Sequence, residues 1–236
     1  MRAKILGLNP PAPFFRMGVG GDLTMMKHVR TLLFAVLAVV LLLPAKTFAA
    51  PVLTLGSANG DVWDLQYRLQ VLGYYRDRLD GYYGYDTAQA VKRFQKQYGL
   101  HVDGVAGART WKTLKRFSVS RHEMDMMARL VYSEARGEPY VGQVAVAAVV
   151  MNRLQSDKFP KTIRDIIFEP YAFTAIQDGQ FWLTPNRTAY RAAWEAVRGW
   201  DPTGEALYYF NPETATSRWI WSRPQIKQIG RHIFAR

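Results

Sequence analysis

The chain has 236 residues, of which 49% are hydrophobic, and it carries a formal net charge of +12. This length suffices for two modest globular domains. The absence of cysteine excludes disulfides and thiolate metal sites. The four histidines are scattered without ligand-like spacing, so we expect no metal and no cofactor. The positive charge favours a polyanionic partner. Because the chain has no RNP motif, zinc finger or basic helix, we expect no nucleic-acid partner.

Residues 1–49 predict a disordered leader followed by a secretory signal peptide. Lys27 and Arg30 precede an unbroken apolar run at 32–43, and residues 47–49 offer small side chains for cleavage. The run is too short to span a bilayer comfortably as a permanent helix, although an uncleaved anchor is the alternative. We therefore expect a secreted protein that meets the membrane only through this signal.

Residues 52–116 contain an internal repeat. An Asp-Gly pair, a second glycine and a threonine recur with one spacing, as Asp80-Gly81, Gly84 and Thr87 and as Asp103-Gly104, Gly107 and Thr110. The glycines permit tight left-handed turns, and each threonine is placed to cap the next helix. Apolar stripes with helical spacing lie before and between the two copies. The segment predicts three short helices joined by Asp-Gly turns.

This segment resembles a known family of peptidoglycan-binding domains. The resemblance rests on the two repeats together with Leu69-Gln70, Leu72-Gly73-Tyr74-Tyr75, Ala90-Val91, Phe94-Gln95 and Trp111. It implies a noncatalytic three-helix domain at 52–116 whose partner is the glycan strand of peptidoglycan. Tyr82 and Tyr83, beside the first turn, are candidates for stacking on sugar rings. Core packing is the alternative for these aromatics, and it is the one we favour for Trp111.

A second predicted helix system begins at a capping box, Ser120 to Glu123. Apolar residues then recur at three- and four-residue steps along one stripe, at Met124, Met127, Leu130 and Val131. Glu134 falls within this stripe, nearly in line with Met127. A carboxyl on an apolar face is partly desolvated, which raises its pKa and suits it to donate a proton near neutral pH. Glu134 is therefore the candidate catalytic acid.

The competing interpretation makes Glu134 an ion-paired structural residue, with Arg129 and Arg136 as its partners. Asp125 and Arg129 are expected to form a solvated pair on the opposite helix face. Glu138, beyond the helix end at Gly137, is expected to help cap the next helix.

The rest of the chain predicts an α+β arrangement. Residues 141–150 are apolar almost all round, which favours a buried central helix, with a buried strand as the alternative. A short helix is expected between Pro160 and Pro170, and a longer one at 190–200. Strands are expected at 207–212, 219–221 and 229–234.

An aromatic and amide-rich stretch at 171–182 supplies the candidate substrate-binding residues. They are Tyr171, Phe173, Gln177, Asp178 and Gln180. The amide and carboxyl groups are hard to bury without partners, so they suit hydrogen bonds to acetamido and hydroxyl groups of a glycan. Core packing for Phe173 and a turn role for Asp178 are the alternatives.

Residues 122–236 resemble the cell wall hydrolase SleB family. The resemblance rests on Ala128–Glu138, Gly142-Gln143, Asn152-Arg153, Phe173-Thr174-Ala175, Asp178-Gly179-Gln180, Phe210-Asn211-Pro212, Trp221, Ile229-Gly230 and Phe234. It implies a catalytic domain similar to lysozyme-like lytic transglycosylases, with the glutamate matching Glu134 as its acid. It also implies degradation of the spore cortex during germination, and an inhibitory or stabilising partner protein in the spore.

The reaction type stays open at this point. Glycosidases normally use two carboxylates, and Glu169, Asp178 and Glu205 are possible second ones. A single acid is sufficient when the muramic acid's own 6-hydroxyl attacks the anomeric carbon, which gives a 1,6-anhydromuramoyl end. The alternatives are a hydrolytic muramidase, an N-acetylmuramoyl-L-alanine amidase and a noncatalytic wall-binding protein.

Overall fold

The computed structural model describes residues 50–236, so the leader and signal predicted for 1–49 lie outside the described residues. The described part is helix-rich with one small sheet, and the α+β prediction is confirmed. We call residues 50–117 the N-terminal module and residues 121–236 the C-terminal module. Within residues 50–236, no helix combines the length and apolar character needed to cross a membrane.

The N-terminal module consists of three helices, as the repeat predicts. They are α1 (Gly60–Val71), α2 (Tyr85–Gln97) and α3 (Ala108–Phe117). Their apolar stripes meet in one core that includes Leu65, Leu69, Phe94 and Trp111, the last with 2% of its surface exposed. The preferred core role for Trp111 is confirmed.

A buried glutamine organises each copy of the repeat. The side-chain amide of Gln66 donates to Asp80 Oδ1 at 2.8 Å and to Thr87 Oγ1 at 3.1 Å. Gln95 donates in the same way to Asp103 at 2.8 Å and to Thr110 at 3.2 Å. The predicted capping role of the threonines is wrong, because their hydroxyls are taken by these amides and the helices begin after glycines instead.

The predicted left-handed turns occur at two of the four glycines. Gly81 and Gly104 have φ angles of +73° and +75°. Gly84 and Gly107 adopt extended backbone as the residues before α2 and α3. A β-carbon at Gly104 would also press on the side chain of Lys92.

The C-terminal module is built around two packed helices, α4 (Arg121–Ala135) and α5 (Tyr140–Gln155). The predicted capping box opens α4, with Ser120 Oγ accepting from Glu123 N–H and Glu123 Oε2 accepting from Ser120 N–H. Helix α5 is buried on nearly every side, which confirms the central-helix interpretation. Shorter helices surround this pair: α6 (Ile163–Ile167), α7 (Thr174–Gln177), a 3-10 turn (Gln180–Trp182) and α8 (Arg187–Val197).

A three-stranded antiparallel sheet completes the module in the order β1-β3-β2. Its strands are β1 (Tyr208–Phe210), β2 (Gln225–Ile229) and β3 (His232–Ala235). The strand predicted at 219–221 is wrong, because these residues form the helical turn α9 (Arg218–Trp221). The single strand predicted at 229–234 is instead a hairpin, since Gly230 turns the chain with a φ angle of +58°.

The two modules touch directly. Arg68 of α1 is 5% exposed, and its Nη1 donates to the Ser118 carbonyl at 3.2 Å. Its Nη2 lies 2.9 Å from Glu123 Oε2, in the first turn of α4. Val71, at the end of α1, belongs to the apolar core of the C-terminal module. Side-chain contacts of α1 therefore join the two modules.

Candidate active site

Glu134 lies in the last turn of α4 and faces a groove. Its Oε1 accepts a hydrogen bond from the Ala175 N–H at 2.7 Å, at the start of α7. Its Oε2 accepts from the Tyr209 hydroxyl at 3.0 Å, on strand β1. Two separate elements therefore hold the carboxyl in one orientation.

Neither arginine of the competing interpretation pairs with Glu134. Arg129 forms its ion pair with Asp125 at 2.7 Å, on the opposite face of α4 as predicted. Arg136 donates to Gln180 Oε1 at 2.6 Å. Among the described residues, Glu134 has no ion-pair partner within 4 Å.

The surroundings of Glu134 favour its protonated form. Burial raises the pKa of its carboxyl, and the charge of Asp178 raises it further. The hydrogen bonds from Ala175 and Tyr209 act in the opposite direction but do not cancel the effect of burial. The pKa of the Tyr209 hydroxyl is itself raised well above its ordinary value by burial and by the charge of Glu134. Tyr209 therefore stays a neutral hydroxyl at any physiological pH.

The groove has two connected parts. The near part, about 540 Å³ in volume, surrounds Glu134 and runs between the 171–180 segment and the end of β1. The far part, about 610 Å³, extends toward Phe159 and Trp219. The two parts share five lining residues: Arg153, Tyr171, Ala172, Tyr209 and Ser217. Because they share these residues, the two parts adjoin and form one open groove.

The 171–182 stretch borders this groove. Gln177, Asp178 and Gln180 line the near part, and Asp178 accepts hydrogen bonds from the backbone and side-chain amides of Gln180. Tyr171 lies between the two parts with 91% of its surface exposed. Its φ angle of +64° is uncommon for a residue with a side chain. This backbone conformation holds an exposed aromatic ring at the rim.

The other predicted binding aromatics have different surroundings. Phe173 borders the near part but is only 3% exposed, so it contributes the wall rather than a free ring. Tyr82 is 52% exposed on the N-terminal module. The prediction for Tyr83 is wrong, because this ring is fully buried and its hydroxyl donates to the Gly104 carbonyl at 2.7 Å. A ring without exposed surface cannot stack on a sugar.

The three candidate second carboxylates lie in different places relative to the groove. Asp178 lines the near part and Glu169 lines the far part. Glu205 does not line the groove and pairs with Arg236 on the surface at 3.2 Å. No cluster of histidine and carboxylate side chains suited to a metal ion occurs within residues 50–236.

The predicted capping role of Glu138 is also wrong. The α5 helix begins after Pro139 without a side-chain cap. The carboxyl of Glu138 instead accepts from the Arg231 backbone N–H at 2.9 Å and its Nε–H at 2.8 Å. Burial alone would raise the pKa of Glu138, but these two hydrogen bonds hold it below the ordinary value. Glu138 therefore anchors the β2–β3 hairpin to the start of α5.

Three groove residues are not marked as site residues by the sequence. Tyr209 falls within the strand predicted at 207–212, and Arg153 appears only among the residues that carry the family resemblance. His232 is one of the scattered histidines, yet it lines the near part with its ring against Tyr209, the ring centres 5.1 Å apart. Burial lowers the pKa of His232, so its imidazole is neutral at neutral pH. In the sequence, all three lie far from Glu134 and share no periodicity with it.

Two family models match the chain. A model described as Cell Wall Hydrolase matches residues 137–235, and one described as a peptidoglycan binding domain matches residues 58–114. The first match begins just after Glu134 and includes the other groove residues named above. The fold, the groove and these matches define the class, a cell wall hydrolase joined to a peptidoglycan-binding module.

Similar proteins narrow this class to one family. A spore cortex-lytic enzyme of Bacillus cereus is 44% identical over 229 residues, covering 81% of this chain and 88% of the relative. One from Oceanobacillus iheyensis is 42% identical over 244 residues, covering 80% and 88%. Among solved structures, the catalytic domain of the germination-specific lytic transglycosylase SleB from Bacillus anthracis is 64% identical, with a TM-score of 0.48. It covers 50% of this chain and 97% of its own. The identity to the two sequence relatives shows that the chain belongs to the spore cortex-lytic enzyme family, which confirms the predicted resemblance.

Proposed function

We propose that this enzyme cleaves the glycan strand of spore-cortex peptidoglycan during germination, as a lytic transglycosylase with Glu134 as its single acid and base. Membership of the family and the peptidoglycan-binding module make peptidoglycan its substrate partner. The observation that carries the role of Glu134 is the carboxyl held at the floor of the groove by Ala175 and Tyr209, with its pKa raised by burial.

The reaction follows from one carboxyl in two protonation states. Glu134 in its acid form donates its proton to the glycosidic oxygen as the bond to the anomeric carbon breaks. The 6-hydroxyl of the same muramic acid then attacks that carbon and gives its proton to the Glu134 carboxylate. One strand leaves with a free hydroxyl, the other ends in a 1,6-anhydro ring, and no water is consumed. The acid is regenerated for the next cleavage.

The neighbours of Glu134 suit both halves of this cycle. Burial favours the acid before cleavage, and the Ala175 and Tyr209 donors stabilise the carboxylate that cleavage leaves behind. Hydrolysis by water would require a positioned base or nucleophile as well. Asp178 and Glu169 border the groove, but Asp178 is engaged by Gln180 and Glu169 lies in the far part. These surroundings favour the single-acid route over the muramidase alternative.

The place of action follows the same reasoning. An enzyme of this family acts on cell-wall material and therefore outside the cytoplasm. Export through the predicted signal peptide and restraint by a partner protein in the spore remain part of the proposal. Tyr82, exposed beside the first Asp-Gly turn, is the proposed sugar-stacking residue of the wall-binding module.

The experiment compares the products of the purified enzyme and of its Glu134→Gln variant on isolated spore cortex. We expect fragments lighter by one water than hydrolysis products, and a loss of activity of at least about a hundredfold in the variant, with wall binding retained. Glu205→Gln, which removes an exposed carboxyl outside the groove, serves as the matched control.

Three results would contradict parts of this proposal. Fragments carrying the extra water would show a muramidase. Free alanine N-termini would show an amidase. Unchanged lysis by Glu134→Gln would remove the glutamate from the chemistry altogether.

A further inference from the structure

Arg153 is a buried cation without a counter-ion at the middle of the groove. It lies in the last turn of α5, is 5% exposed, and borders both the near and the far part. Its Nε–H donates to the Leu207 carbonyl at 2.8 Å. Among the described residues no carboxylate lies within 4 Å of it, and its Nη1 has no hydrogen-bond partner.

This arrangement costs stability. A buried charge without a partner is unfavourable, and an apolar side chain of similar size would avoid that cost. Three aromatic rings compensate in part, since the guanidinium carbon lies 5.0 Å from the ring centres of Phe159 and Phe173 and 5.5 Å from that of Tyr208. These rings offer no acceptor for the free N–H. Because Arg153 borders both parts of the groove, a ligand bound there would supply the missing acceptor.

The position of the guanidinium limits what that acceptor is. Phe173 belongs to the wall of the near part, whereas Phe159 and Tyr208 belong to the far part. The guanidinium therefore lies under the junction of the two parts, where a bound strand passes from one to the other. Glu169 borders the far part, and its negative charge acts on Arg153. This charge opposes the entry of a second carboxylate and favours a neutral acceptor.

We propose that Arg153 is a specificity-determining residue that donates a hydrogen bond to the acetamido carbonyl oxygen of a sugar bound across this junction. The inference rests on the proposed glycan-cleaving function and adds to it a chemical requirement for N-acyl groups. An arginine suits this task because its charge strengthens the hydrogen bond to a neutral carbonyl. Once this bond forms, the strand is fixed in register over Glu134, whose hydrogen-bond partner Tyr209 also lines both parts of the groove.

The test measures oligosaccharide binding in the Glu134→Gln background, where turnover is blocked. The probes are β-1,4-linked hexamers of N-acetylglucosamine and of glucose, which share a backbone and are both neutral. Adding Arg153→Gln should weaken binding of the N-acetylated hexamer about tenfold or more and leave the glucose hexamer unchanged, since a hydrogen bond to a charged group is lost. In the active enzyme, the same substitution should raise KM far more than it lowers kcat.

Arg223→Gln is the matched control. Arg223 also has a buried nitrogen without a partner and stacks on one groove ring, 4.8 Å from the ring centre of Trp219, yet it does not line the groove. Its loss should leave the preference for the N-acetylated hexamer intact. Arg153→Lys keeps the positive charge and should retain part of the preference for the N-acetylated hexamer. It also provides a test if the protein does not fold with an uncharged residue at this position.

Two outcomes would overturn the inference. Equal weakening for both hexamers, with a lowered Tm, would show that Arg153 only supports the aromatic wall. Unchanged affinity for both hexamers would show that its N–H meets no acetamido group. Failure of the catalytic proposal is separately visible, because Glu134→Gln alone would then still digest cortex.

Discussion

The Tyr209 hydroxyl and the charge of Asp178 act on the proton of Glu134 in opposite directions. Asp178 adds to the effect of burial and raises the pKa, whereas the hydroxyl stabilises the carboxylate and lowers it. Activity that needs the acid form falls as pH rises through this pKa. The position of the alkaline limb of the pH profile therefore reports the balance between these neighbours.

Replacing Tyr209 by Phe removes a stabiliser of the carboxylate. The pKa of Glu134 should rise, so the alkaline limb of kcat/KM against pH should move to higher pH. The rate at the optimum should fall about tenfold, because a hydrogen bond that orients the buried carboxyl is lost. A full pH–rate profile of the variant checks both effects.

Tyr208→Phe is the control, since Tyr208 lies on the same strand but lines only the far part. Its alkaline limb should coincide with that of the wild type. A limb that moved to lower pH in Tyr209→Phe would show that this hydroxyl destabilises the carboxylate, contrary to the geometry.

At this scale the sequence predicted that the Glu134 carboxyl lies on the apolar face of its helix, but not which groups bond to it. Glu134 is detectable because it shares a helix with the apolar stripe, and the helical period places both on one face. Tyr209 and Arg153 reach the groove through the tertiary packing of β1 and α5, which their spacing along the chain does not predict. The burial of Tyr83 is likewise not predictable from local sequence, because its hydroxyl bonds to the carbonyl of Gly104 in the other Asp-Gly turn.

The elements of the C-terminal module differ in how well local sequence determines them. Helix α4 was predictable from its capping box and periodic apolar stripe, whereas the apolar run of α5 favoured a buried helix but also permitted a strand. The run at 219–221 is aromatic and β-branched, but none of its residues is buried or paired in the sheet, and it forms a helical turn. Strand propensity depends on that burial and pairing, so it did not decide the structure here. The hairpin at Gly230 was missed because its turn is fixed by contact with Glu138, far away in sequence.

That contact predicts a specific sensitivity at Gly230. A β-carbon there would collide with the Glu138 carboxyl and press on Pro139, in a backbone with a φ angle of +58°. Gly230→Ala should therefore destabilise the protein by about 3 kcal/mol or more, since backbone strain and the loss of a buried hydrogen-bonded anchor add together. Thermal unfolding and the lytic rate should both report this, because the hairpin carries His232 beside the groove.

Gly99→Ala separates the collision from the backbone cost. Gly99 has a similar φ angle of +63°, but no atom lies within 4 Å of the added β-carbon. Its substitution should cost only about 1 kcal/mol. Equal losses for the two variants would mean that the Glu138 contact contributes nothing to the hairpin.

At the scale of the whole molecule, the N-terminal module packs directly against the C-terminal module and is not joined to it by the chain alone. Arg68 of α1 bonds to the connector at Ser118 and to Glu123 in the first turn of α4. Glu123 is also the residue that closes the capping box of this helix. One carboxyl thus fixes both the module contact and the start of the helix that carries Glu134 at its other end.

This arrangement predicts that the two modules unfold together. Calorimetry of residues 50–236 should show a single transition, since Val71 and its neighbours join the core of the C-terminal module. Arg68→Met should lower the stability by about 1–3 kcal/mol, because it leaves Glu123 and Asp64 without their shared partner while both keep some solvent. It should also split the transition in two, because the N-terminal module loses its ion pair with Glu123.

Lys161→Met, which removes an exposed ion pair with Asp157, should leave the single transition unchanged. If Arg68→Met still unfolds in one step at the wild-type temperature, apolar contact alone joins the modules. In that case the N-terminal module stays packed against the helix that carries Glu134 without help from the Arg68–Glu123 pair.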